Sequence, residues 1–156
     1  TLFLSGEDRR IQAHTATYHS ATLLNQHWLG NPTEAHALYP VRWQPASAAR
    51  SAPVVLRAYA VRRPDRQWAL LLLNLDPRQE WSITASLARS ATQSVPLLGP
   101  ADLYQFSSAQ YHWQAAGEQG RPSRSLPPAH TRLPAGPIKL HLPPWSLTVL
   151  RVSDPT

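Results

Sequence analysis

The chain has 156 residues, 42% of them hydrophobic, with 16 Pro against 6 Gly and no Cys. That is the length of one domain with a sizeable core, and it excludes general disorder, a disulfide framework and thiolate chemistry while leaving the redox compartment open. The formal charge of +6 comes from 15 basic residues, all Arg except Lys139, but they are scattered, which argues against a long basic stripe for nucleic acid.

Residues 1–4 read as a short strand, ended by a Ser5-Gly6-Glu7-Asp8 turn. Ile11, Thr15, Tyr18, Thr22 and Leu29 then recur at spacings of three, four and seven, widened by Leu23, Leu24 and Trp28. This pattern predicts one helix over roughly 13–28, stopped firmly by Gly30, Asn31 and Pro32. Residues 36–43 suit a short strand, and 45–53 an Ala/Ser loop. The run over 54–74, VVLRAYAVRRPDRQWALLLLN, reads as a β-hairpin: a loosely alternating strand, a Pro-Asp turn, then a nearly continuous apolar strand. After the turn at Asp76-Pro77, residues 81–87 alternate as another strand. Short strands are expected at 95–98, 103–106 and 111–114, and 116–137 reads as a long structureless stretch rich in Gly, Pro, Arg and Ser. Residues 138–142 and 146–152 finish the fold around a Pro143-Pro144 corner.

Strands this apolar must be buried against a second layer. Prolines in such number stop strands and remove ladder donors, which favours turns and irregular crossings over long helices. The fold class is therefore mainly β, an antiparallel β-sandwich of about seven to nine strands with one N-terminal helix. Residues 1–35 are expected to form a connector packing on the sandwich or on a neighbouring domain, and 36–156 the sandwich itself.

The longest apolar run, 68–73, is far too short to cross a bilayer, and no membrane association is expected. No basic segment followed by an apolar one opens the chain, so a signal peptide is not expected in it. The chain starts without Met, as would a processed product or an excised part of a longer polypeptide.

For chemistry the supply is thin. His14 and His19 are five apart, a poor match to the four-residue spacing that aligns two ligands on a helix, and no HExxH occurs; no metal site or other cofactor is expected. A glycosidase mechanism needs two carboxyls about 5–10 Å apart. Asp65 and Asp76 belong to turns, where a short carboxylate caps backbone N–H groups, Asp154 lies in the tail, and nothing in the sequence brings Glu34, Asp102 and Glu118 together. No GxSxG elbow is present either. The aromatics are more suggestive, because 6 Trp and 5 Tyr exceed what a small core requires. Tyr111 and Trp113 are two apart, so on a strand they share a face. They suit either core or interdomain packing, or a carbohydrate-binding surface. Trp68 and Trp145 are expected as core or edge anchors where strands begin.

The strings VVLRAYAVRRPDRQWALLLLNLDP, DLYQFSSAQYHW and LPPWSLTVLRV together resemble the C-terminal β-sandwich of clan A glycoside hydrolases, the β-xylosidase-like and related families. The likeness covers about residues 54–152, and the segment 23–29, LLNQHWL, resembles a connector leaving a barrel. In such enzymes the sandwich packs on a catalytic (β/α)₈ barrel. A barrel needs roughly 250 residues and carries its acids at the C-terminal ends of its strands. None is present, so no catalytic residue transfers to a numbered position. The resemblance thus implies a non-catalytic accessory sandwich whose partner is a barrel domain or chain, in an extracellular or periplasmic setting. The alternative is an autonomous carbohydrate-binding module using exposed aromatics.

Overall fold

A computed structural model describes residues 2–31, 33–42, 55–90 and 93–153. The loop expected over 45–53 and the tail with Asp154 lie outside these. The chain opens with a hairpin of β1 (Phe3–Ser5) and β2 (Ile11–His14), then enters helix α1 (Ala16–Thr22), which continues as a π-helical segment (Leu23–Leu29). The stop is where the sequence puts it: the Gly30 N–H closes onto the Asn25 carbonyl, and Gly30 sits at φ 76°. Next come β3 (Ala37–Tyr39), β4 (Leu56–Arg62), β5 (Gln67–Asn74), β6 (Trp81–Thr84), β7 (Ser86–Ala88), β8 (Ser94–Pro96) and β9 (Leu98–Phe106). The chain ends its strands with β10 (Tyr111–Gln114), β11 (Arg121–Ser125), β12 (Ala129–Pro137), β13 (Lys139–Leu142) and β14 (Ser146–Ser153).

Six strands form the main antiparallel sheet in the order β12-β9-β14-β5-β4-β3. The two strands with the strongest apolar runs, β5 and β14, sit at its centre. Their register is Leu70 to Leu150 and Leu72 to Thr148, and both faces are covered. One face presents Leu56, Trp68, Leu72, Ala101, Leu150 and Val152 to a second layer built from the pairs β13-β6 and β7-β8, which contributes Leu140, Leu142, Trp81, Ile83 and Leu87. The other face presents Leu71, Tyr104, Phe106 and Val149 to the helical segment, which lays Leu23, Leu24 and Trp28 on them. Each fully buried Leu here contributes about 1.5–3 kcal/mol over an exposed one. The result is a β-sandwich with a helix against its outer face.

The stretch 116–137 is not structureless. It holds β11, paired with β10, and β12, the outermost strand of the main sheet. Pro134 and Pro137 fit β12 because an edge strand need not donate on its open side, and the pairing slips between Leu133 and Gly136 at a bulge. The polar sequence that hid the strand also has a physical role. His130 and Arg132 lie opposite Tyr104 and Asp102 and are satisfied by them.

The turns expected from the acids are present. Asp65 Oδ1 accepts from the Gln67 N–H, and Asp76 Oδ1 accepts from the N–H groups of Arg78 and Gln79. The second turn is tied to the sandwich by Asn74, whose side chain is fully buried. Its Nδ2 faces the carbonyls of Gln79 (2.8 Å), Leu142 (3.2 Å) and Pro143 (2.8 Å), and its Oδ1 accepts from the Asp76 N–H (3.0 Å).

Candidate functional site

Three places gather side chains that could meet a ligand or partner. The first is the Pro143-Pro144-Trp145 corner. Trp68 is buried as expected of an anchor, but Trp145 is 60% exposed. Its backbone adopts φ 47°, a left-handed conformation that a bulky residue rarely takes. The corner is over-determined: the Trp145 N–H donates to the Asp76 carbonyl, Ser146 Oγ donates to the Pro143 carbonyl, and Asn74 holds the carbonyls of Leu142 and Pro143 from beneath. Leu75, also exposed, follows Asn74 on the adjoining turn.

The second is the β10–β11 hairpin, where the two singled-out aromatics take different environments. Tyr111 packs into the core layer with ring partners His19 (6.5 Å) and Phe106 (6.1 Å). Trp113 is 45% exposed. Its indole rests on Gly120, where an added Cβ would stand 2.7 Å from Trp113 Cζ2. Two tight turns, Gln119 N–H to Ala116 carbonyl and Gly120 N–H to Gly117 carbonyl, fix this hairpin tip. A depression of about 140 Å³ there is lined by Gln114, Ala116, Gln119 and Arg121.

The third is a charged cluster on the helix-covered face of the main sheet. Asp102, with its side chain 16% exposed, receives His130 Nε2 (2.9 Å) and Arg132 Nη1 (2.7 Å) from β12, and Arg151 Nη2 (3.5 Å) from β14. Arg151 also donates to the Tyr104 hydroxyl at 2.9 Å. The Tyr104 ring is stacked between His27 (3.8 Å) and His130 (4.5 Å). Burial pushes the Asp102 carboxyl up, but the hydrogen bonds from His130 and Arg132 and the charges of Arg132 and Arg151 outweigh it and hold the acid below its ordinary range. Burial lowers the His27 pKa, helped by the positive charges of Arg151, His130 and Arg63. A carboxylate so fully engaged and so easily ionised is suited to holding strands together. It is unsuited to donating a proton to a glycosidic oxygen, which needs a raised pKa.

Of the other acids, Glu34 accepts from Asn31 Nδ2 in the loop after the helix, and Glu118 sits in the exposed tip of the β10–β11 hairpin. Neither shares an element with Asp102. The histidines likewise divide. His14 stacks on Tyr18 (3.9 Å), and buried His19 meets Ser125 Oγ, which donates to the His14 carbonyl, so His19 Nε2–H is the donor to Ser125. Among the described residues no group of three His, Cys, Asp or Glu is placed to hold a metal ion.

No family model and no curated protein matches this sequence. The site must therefore be judged on its own geometry. The charged cluster was not foreseen from the sequence, although one signal for it exists: Arg151 interrupts the apolar strand over 146–152, and an arginine there requires a carboxylate neighbour. The polar lining of the depression at the β10–β11 tip gave no comparable signal, because it comes together only when the hairpin folds.

Proposed function

We propose that this chain is a non-catalytic accessory β-sandwich of a carbohydrate-active enzyme, packing on a separate (β/α)₈ catalytic barrel and stabilising it. The observation that carries the reading is Trp145. A left-handed backbone costs a non-glycine residue roughly 1–2 kcal/mol, and such strain persists only where the surroundings enforce it. Here a buried asparagine, the Trp145 N–H bond to the Asp76 carbonyl and the Ser146 hydroxyl bond to the Pro143 carbonyl enforce it and hold an indole out in water. That arrangement fits an anchor whose burial occurs against another surface. Further exposed apolar residues, Leu2, Phe3, Ile11 and Tyr18, lie on the N-terminal hairpin and helix, where a chain arriving from a barrel would join.

The test begins with the polypeptide as its source makes it. A mass far above 17.4 kDa or a co-purifying barrel chain, with hydrolysis of aryl glycosides that the 156-residue chain alone lacks, is the expected result. Trp145→Gly should then leave the melting temperature of the chain alone within a few degrees while lowering the inactivation temperature of the barrel-bearing enzyme. A source polypeptide of 17.4 kDa with no glycosidase partner would overturn the proposal. So would glycoside hydrolysis by the chain alone, or a barrel indifferent to Trp145→Gly.

A further inference from the structure

The two edges of the main sheet differ in how they meet a further strand. β12, outermost at one end, carries Pro134, Pro137, a bulge and the charged pair His130 and Arg132, all of which discourage another strand. β3, at the other end, consists of Ala37, Leu38 and Tyr39, with no charge, proline or bulge within it. All three residues are exposed, Leu38 to 68%. Exposed Tyr59 of β4 lies on the same face as Leu38, two residues from Val61, the cross-strand partner of Leu38.

The hydrogen-bond pattern fixes which backbone groups look outward. The Arg63 N–H donates to the Gln67 carbonyl and the Leu75 N–H to the Val55 carbonyl, so odd-numbered residues of β4 address β5 and even-numbered ones address β3. Ala37 and Tyr39, opposite Arg62 and Ala60, therefore direct their amide groups to β4, and Leu38 turns its N–H and carbonyl to the open side. Among the described residues no strand pairs there.

We propose that β3 is a dimerisation edge, at which two copies of this chain pair antiparallel about a two-fold axis at Leu38 and join their main sheets into one. In that register Leu38 exchanges both N–H···O bonds with its counterpart, and Ala37 lies opposite Tyr39 of the second copy. Beyond the strand the same axis brings Glu34 to the level of Arg42 of the second copy, because the two are equally far from Leu38 in sequence, and the symmetry repeats the pair. Both side chains are exposed; Glu34 accepts from Asn31 Nδ2, and Arg42 has no partner among the described residues. Pro40, which has no N–H to donate, ends the ladder. A second copy is favoured over an unrelated strand because the edge is complementary to itself, apolar at its centre and acid to base at its ends. The proposal does not rest on the accessory reading, since the chain alone carries the edge.

So short an edge belongs to the small-interface class, below ~1,200 Å², and a Kd of about 10–100 µM is expected. Sedimentation equilibrium of the full chain from about 5 to 500 µM should show a monomer–dimer equilibrium. Leu38→Lys should weaken it at least about tenfold, and Leu38→Pro, which removes an N–H that β4 does not use, should do the same. Glu34→Arg alone and Arg42→Glu alone should each weaken it several-fold by facing like charges, and the double exchange should recover most of the affinity. Thermal melts of each variant check that it is folded, as its exposed position leads one to expect. A monomer throughout the range overturns the proposal, as does a dimer that a folded Leu38→Lys leaves intact. So does a double exchange that associates no better than either single variant.

Discussion

Replacing Asn74 by Leu tests the internal clamp of the sandwich. The two side chains are close in volume, so the substitution removes hydrogen bonding while adding little strain. An amide carries two N–H donors, so two of the three facing carbonyls are fully bonded at once, and Oδ1 secures the Asp76 N–H. Three bonds at a net ~1 kcal/mol each, plus about 1–3 kcal/mol for a carbonyl left dry in the interior, place the loss at roughly 4–6 kcal/mol. That is a large part of the roughly 5–15 kcal/mol typical of a domain, and at about 2–4 °C per kcal/mol it lowers the melting temperature by around 15 °C. Urea unfolding followed by Trp fluorescence measures the free energy, and calorimetry the midpoint. Asp76→Ala is the control. Its carboxylate caps an exposed turn, and its loss should destabilise clearly less than Asn74→Leu. A loss below about 1 kcal/mol for Asn74→Leu, or one equal to that of Asp76→Ala, would refute the assignment of Asn74 as the tie between turn and corner.

Gly99→Ala should destabilise by about 2 kcal/mol or more in the same urea assay, because its methyl would run into the Pro134 carbonyl oxygen, a backbone atom held by the β12 bulge. Asp102→Asn should cost about 2 kcal/mol at pH 7, the worth of hydrogen bonds to a charged group. The acid's folded pKa is depressed, so its contribution is complete above the unfolded value near 3.9 and fades as pH falls through the folded one. The acid limb of a melting-temperature profile below about pH 4 should therefore be shallower in the variant. His27 works in the opposite range: its folded pKa lies below the unfolded value near 6.5, so the unfolded chain takes up protons first and stability falls as pH drops from about 7 to 5. His27→Phe, which keeps a ring on Tyr104, should reduce that slope, and an unchanged slope would show that His27 does not carry it.

The parts of the fold legible in the sequence are those where one residue type settles the outcome. The strands β5 and β14 are nearly continuous apolar runs because both their faces are covered, and the turns at Asp65 and Asp76 are capped by the side chains that suggested them. β12 was illegible because an edge strand tolerates prolines and its inward polar residues answer charges on a neighbour distant in sequence. Trp145 shows the same limit from the other side. Its size suggests a buried anchor, yet the backbone at that corner turns it outward, held there by the Asn74 clamp together with the bonds of the Trp145 N–H and the Ser146 hydroxyl. For the site, the sequence places Tyr111 and Trp113 on one strand face, suited either to packing or to a ligand surface. The structure packs Tyr111 against the core layer and leaves Trp113 45% exposed, because the hairpin's other neighbours cover only one of the two rings.

The position of β14 has a consequence for biosynthesis. It lies between β5 and β9, so as the nascent chain emerges, β3, β4 and β5 form one half of the main sheet and β9 with β12 another, with no ladder joining them. Each half meanwhile exposes an apolar edge ready to template another chain. β14, pairing Ser153 with Gln67 and Val152 with Ala101, closes both edges in one step across long loops, a non-local event that is slow by nature. The interval between synthesis of β9 and insertion of β14 is thus the period of greatest aggregation hazard, when a chaperone or an already folded neighbouring domain would matter most.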